Sequence, residues 1–126
     1  MGMKKKIKIN DHEYYDGEVR DGDIAHGQGI LVNEKLKTKH EGSFEDGYPH
    51  GLAEVHMVDK AGKEIKLTGI WDKDKGGPDY GFYELPNGEL YQGELKNFNY
   101  HGKGKYRHSS GMIVEGIYEN GEIKKL

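Results

Sequence analysis

Cysteine is absent from the 126-residue chain, which excludes a disulfide scaffold, a thiolate zinc site and a cysteine nucleophile. Proline is scarce, at three residues. Aliphatic material is scarce as well, with Leu, Ile, Val and Phe filling 25 positions in total, close to the range in which chains stay disordered. No apolar run approaches the length of a membrane span. The start, Met1-Gly2-Met3-Lys4-Lys5-Lys6, lacks the apolar core of a signal peptide, and Lys6 stands where a myristoylation motif wants Ser or Thr. Together these absences point to a cytoplasmic protein. A net charge of −3 and a pI near 6.2 supply no global basic field, so no nucleic-acid partner is expected.

What is present argues against disorder. Nine Tyr, three Phe and one Trp are spread along the whole chain, and glycine reaches 20 residues, about twice its usual share. Glycine without a matching Pro, Ser or Gln bias is not a linker composition, so the glycines have fixed places.

Those places form a repeat. Tyr15-Asp16-Gly17, His40-Glu41-Gly42, Leu67-Thr68-Gly69, Tyr91-Gln92-Gly93 and Val114-Glu115-Gly116 can be superposed, and their glycines are 25, 27, 24 and 23 residues apart. A second signature follows: His26-Gly27-Gln28-Gly29, His50-Gly51-Leu52-Ala53, Tyr80-Gly81-Phe82-Tyr83, His101-Gly102-Lys103-Gly104. Aligned in this way, the third unit carries a three-residue insertion through Lys73–Asp79, and Tyr83 fills a glycine place. Within a unit apolar or glycine positions alternate with charged ones, which is the period of a strand. Turn signals at Asp46-Gly47, Asp59–Gly62, Pro86-Asn87-Gly88, Ser109-Ser110-Gly111 and Asn120-Gly121 separate the strands. The chain therefore reads as all-β: a leading strand over 5–10, hairpin units over 14–39, 40–66, 67–90 and 91–113, and a half unit over 114–121. About ten strands are expected in one elongated antiparallel sheet, with rings from neighbouring strands lying across the strand glycines.

The string Tyr91-Gln92-Gly93-Glu94-Leu95 with His101-Gly102-Lys103-Gly104 resembles a MORN (membrane occupation and recognition nexus) repeat, and the resemblance spans residues 5–121. It implies a single twisted sheet of stacked hairpins with an aromatic-lined groove, and a non-catalytic scaffold or adaptor that binds protein segments. It also implies two alternatives, an antitoxin-like inhibitor of one partner and a peripheral binder of anionic phospholipid. The end of the chain, from Tyr118, resembles the shorter MORN-variant repeats of bacterial antitoxin-like proteins.

Candidate sites follow from the same period. Tyr15, Phe44, Trp71, Tyr83, Tyr91, Leu95, Tyr106 and Tyr118 form the expected groove for a protein or peptide, since Tyr and Trp give large contact area with little entropy to lose. Leu52, Ile70 and Phe82 point to the other face as a contact patch, for self-association. The strand Val114–Glu119 is expected to be an open edge that a second copy or a partner strand covers. Lys96, Lys103, Lys105 and Arg107 make one unit basic, which is the basis of the phospholipid alternative. No catalytic residue, cofactor or metal is expected: His26, His50 and His101 recur a unit apart, about 10 Å, too far to share one zinc.

Overall fold

The structure, a computed structural model, describes residues 3–126. It is all-β, with eleven strands in a single open sheet. The strands are β1 (Met3–Lys8), β2 (Glu13–Arg20), β3 (Ile24–Asn33), β4 (Thr38–Glu45), β5 (Tyr48–Val58), β6 (Glu64–Asp72), β7 (Gly77–Glu84), β8 (Leu90–Lys96), β9 (Asn99–Arg107), β10 (Ile113–Glu119) and β11 (Glu122–Lys125). Each pairs antiparallel with its neighbour in sequence, so the sheet is a run of hairpins with no crossover.

The turns on one side of the sheet show why the sequence reverses where it does. Asp21-Gly22, Asp46-Gly47, Asn97-Phe98 and Asn120-Gly121 all have positive φ at both residues, the type I′ geometry whose twist suits a two-residue hairpin. Asn and Asp tolerate this region, and glycine adopts it without steric cost. Phe98, at φ 67°, is the exception.

Register places the repeat in space. Gly17, Gly29, Gly42, Ala53, Gly69, Gly81, Gly93, Gly104 and Gly116 face one another in an unbroken line from β2 to β10. Two residues away on the same face runs a second line: Ile7, Tyr15, Leu31, His40, Val55, Leu67, Tyr83, Tyr91, Tyr106 and Val114. These two lines build the core with a third, Val19, Phe44, Trp71, Leu95 and Tyr118, two residues beyond the glycines on the other side. Rings lean over the bare backbone beside them: a Cβ built on Gly104 would stand 2.6 Å from Tyr91 Cε2, and one on Gly29 would stand 2.5 Å from Tyr15 Cε1. The Tyr15 and Tyr91 hydroxyls then donate to the carbonyls of Glu18 and Glu94, at 2.6 and 2.7 Å.

The register corrects the alignment of the third unit. Gly81 pairs with Gly69, so it is the counterpart of Gly29, Ala53 and Gly104. Tyr83 is thus no substitute for glycine; it stands in the ring line beside Leu67 and Tyr91. Pro78, not Tyr80, takes the place of the histidines. The Lys73–Asp79 insertion disappears, because the spacing from first to second glycine is 12 residues here as in the first unit. What the third unit lacks is the bulge glycine. Gly27, Gly51 and Gly102 have φ near 100°, and in the first and fourth units a glutamate folds over them. Glu18 accepts from Gln28 N–H at 2.7 Å and Glu94 from Lys103 N–H at 2.6 Å.

The C-terminal expectation is also corrected. β10 is not an edge, since β11 of the same chain pairs with Ile117, Tyr118 and Glu119. The half unit is therefore a whole hairpin with a short second strand, and the leading strand lies earlier than 5–10, at Met3–Lys8.

Candidate functional site

Rings from strands two apart meet on the glycine-bearing face. Tyr15 of β2 meets Phe44 of β4 edge-on at 5.0 Å between centroids, and Tyr91 of β8 meets Tyr118 of β10 at 5.3 Å. Contact over the intervening strand requires this face to be concave and the opposite face to be convex.

Of the eight expected groove residues, Tyr15, Phe44, Trp71, Tyr83, Tyr91, Leu95 and Tyr118 are at most 7% exposed. They are core, already packed against glycine and against each other, and they offer a partner no open strip. Tyr106 is half-buried and donates its hydroxyl to Glu89 at 2.7 Å. The residues fall into two clusters, not one strip. Tyr15, Val19 and Phe44 form the first. Ala53, Leu67, Trp71, Tyr83, Tyr91, Leu95 and Tyr118 form the second. Burial pushes the phenols of Tyr83, Tyr91 and Tyr100 up to about 12, since charge is penalised away from water.

His40 joins the clusters. It meets Phe44 at 5.5 Å and Trp71 at 4.8 Å, both edge-on. It fills the tyrosine place of its unit, its Nε2 is buried without a hydrogen-bond partner, and burial alone pushes its imidazole down to about 4. Two of the three repeated histidines act as staples between units: His26 Nδ1 accepts from Asp46 N–H at 3.3 Å and His50 Nδ1 from Lys73 N–H at 3.1 Å, whereas His101 Nδ1 is buried without a partner. Along the same side Asp46 pairs with Lys73 and Arg20, which hold its carboxyl at about 2. Among the described residues no three His, Asp or Glu side chains are grouped as a metal site would require.

One part of the concave face remains open. At its N-terminal end Ile7, Ile9, Ile24, Ala25 and Tyr48 surround a hollow of about 400 Å³, with Tyr15 at its back and the Arg20–Asp46 pair at its rim. Ile9 is 52% and Tyr48 62% exposed. Sequence reasoning passed over both, because each lies outside the alternating part of its unit; the signal was a large apolar residue beside a turn.

On the convex face Leu52 lies directly opposite Ile70, as expected from the period. Phe82 pairs instead with Thr68 and is half-buried. Tyr80 stands level with Leu52 and Ile70 and, like them, is more than half exposed. No protein-family model matches this chain, and neither does any curated protein sequence. Among the described residues no helix is long and apolar enough to cross a membrane.

Proposed function

We propose that the protein is a MORN-type binding module, without catalysis of its own, that holds a polypeptide partner on its ring-bearing concave face. The observation that carries this reading is the open hollow at the N-terminal end of that face. It is an apolar recess with one ion pair at the rim, the usual form of a pocket for a side chain of a bound segment. Tyr48 and Ile9 supply the exposed contact area, and Tyr15 supplies a fixed wall. The remaining rings hold this surface rigid, so little order has to be gained on binding.

Peptide display tests the proposal. Displayed peptides selected on the wild-type protein are expected to lose at least tenfold in affinity, about 1.4 kcal/mol, with Tyr48→Ala and with Ile9→Glu. They are expected to bind unchanged with Met112→Glu at a far turn. Both hollow positions are exposed, so circular dichroism should show an intact sheet. Selected peptides that bind all variants alike, or a selection that enriches none, would remove the concave face as the site.

A further inference from the structure

Among the described residues β1 has a strand on one side only. Ile9 N–H donates to the Glu13 carbonyl at 2.9 Å, and the pairing continues in steps of two, through Ile7 with Tyr15 and Lys5 with Gly17. The backbone groups of those residues are spent on β2. Those of Lys4, Lys6 and Lys8 therefore point to the open side. The same three residues turn their side chains to the convex face, where Glu18, Asp16 and Tyr14 stand opposite them. Glu18 is turned the other way and accepts from Gln28 N–H at 2.7 Å. Lys6 Nζ lies over the Tyr14 ring at 4.5 Å, and Lys8 pairs with Asp11 at 3.7 Å. Asp11, Glu13 and Glu34 border a hollow beside Lys6 and Lys8, so the Lys8 end is balanced. Unmatched charge is left at Lys4 and Lys6, which have Asp16 between them and form no ion pair among the described residues. On the concave side of the same strand Lys5 is tied back to the Gly22 carbonyl at 3.2 Å, and Ile7 borders the apolar hollow.

We infer that the open side of β1 takes an extended segment of a partner protein as an added strand, one in which acidic and apolar residues alternate. Antiparallel addition sets acidic residues directly opposite Lys4 and Lys6 on the convex face. The residues between them lie on the concave face, where an apolar one covers Ile7 and continues the wall of the hollow. Backbone bonds and charge thus come from the same residues of β1. Edge lysines ordinarily turn strands away; here they select by charge, admitting an acidic strand and repelling a basic one. A second copy is the wrong partner. β1 on β1 sets lysine against lysine, and in β11 Glu122 is already held by Lys124 at 3.7 Å, with Lys125 beyond. The inference rests on the proposed concave site in one respect, that the partner's apolar side chains lie there.

The probe is a short labelled peptide of alternating Val and Glu, followed by fluorescence anisotropy. It is expected to bind wild type, and Lys4→Gln combined with Lys6→Gln should weaken it at least tenfold with unchanged circular dichroism. Lys105→Gln, on a distant strand, should leave it unchanged. N-methylation of the peptide's glutamates removes the N–H groups that face β1 and should abolish binding, whereas N-methylation of its valines should not. Amide exchange at Lys4, Lys6 and Lys8 is expected to be fast in the free protein and at least tenfold slower with the peptide bound. No binding of the probe, equal binding of the two methylated peptides, full affinity in the lysine variant, or unprotected amides at these positions would each overturn the inference. Tyr48→Ala separates it from the concave site. Display-selected peptides that need Tyr48 but leave the β1 amides unprotected would remove strand addition and keep the hollow. A probe that protects those amides and ignores Tyr48→Ala would keep strand addition and count against the hollow.

Discussion

In the fourth unit Tyr91 lies over Gly104 and closes its hydroxyl on the Glu94 carbonyl. In the second unit His40 takes the tyrosine place and Ala53 the glycine place, and the ring nitrogen that should close a hydrogen bond is buried alone. A smaller ring leaves room for a methyl group, so the two substitutions fit each other. The difference teaches what the strand glycines are for. They are not flexible points but the floor on which each ring lies, and ring and floor are chosen as a pair. The second unit satisfies the volume of the slot and leaves its polarity unsatisfied, at the position where the two clusters of the core are joined.

The largest expected effect breaks the better pair. In Gly104→Ala the new methyl would fall among the Tyr91 ring atoms, at 2.6 Å from Cε2, and a ring held at both ends cannot withdraw. A cost of about 3 kcal/mol is expected, at the upper end for an overpacked core. Combining Gly104→Ala with Tyr91→His reproduces the second unit's pair, and it should recover part of that loss despite the missing hydroxyl. Urea unfolding of the two singles and the double gives the coupling. Costs that simply add would show that ring and floor are independent.

Much of this is legible in the sequence, and the limits are physical. The glycine period and the alternation on either side of it specify the strands, the single sheet and the ring-over-glycine core, because only one residue type leaves room for a ring within a strand. The third unit misaligns by two residues because Tyr80-Gly81 imitates His-Gly; the pairing of Gly69 with Gly81 resolves it. Whether Trp71 and Tyr83 are surface or core cannot be read from alternation, since period two tells which face a side chain is on and not how far that face curls. The same blindness hides the hollow at Ile9 and Tyr48, which exists only where the curl runs out of rings.

Acid should separate the two units further. Unfolded, the His40 imidazole takes up a proton near its ordinary value of 6.5; folded, burial holds it neutral down to about 4. Between those values the unfolded chain binds the extra proton, so the stabilisation is complete above about pH 6.5 and is lost as pH falls towards 4. Between about pH 7.5 and 5 the expected loss is about 2 kcal/mol, since each tenfold difference in proton affinity between the folded and unfolded chain is worth about 1.4 kcal/mol. Chemical denaturation across that range should show the slope, and His40→Leu should flatten it. A wild-type slope that persists in His40→Leu would assign the acid sensitivity to other groups.

The smallest effect concerns the turns that bring these units into line. Phe98 holds φ at 67° where the equivalent turns have Gly22, Gly47 and Gly121, which costs about 1 to 2 kcal/mol for a side chain with a Cβ. Its ring returns much of that. It lies on the bare backbone of Gly77, where a Cβ would stand 3.1 Å from Phe98 Cζ, and about half of the residue is out of water, a gain of about 1 kcal/mol. The Phe98 carbonyl also accepts from the Tyr83 hydroxyl at 2.7 Å, but that bond belongs to the backbone and survives a change of side chain. Phe98→Gly removes strain and cover together, so its unfolding free energy should stay within about 1 kcal/mol of wild type. Gly47→Phe adds the same strain at a turn with no bare backbone to cover, only Ile24 Cγ2 at 4.0 Å, and should cost the full 1 to 2 kcal/mol, roughly. Equal losses in the two variants would show that the Phe98 ring contributes nothing to holding the third unit against the fourth.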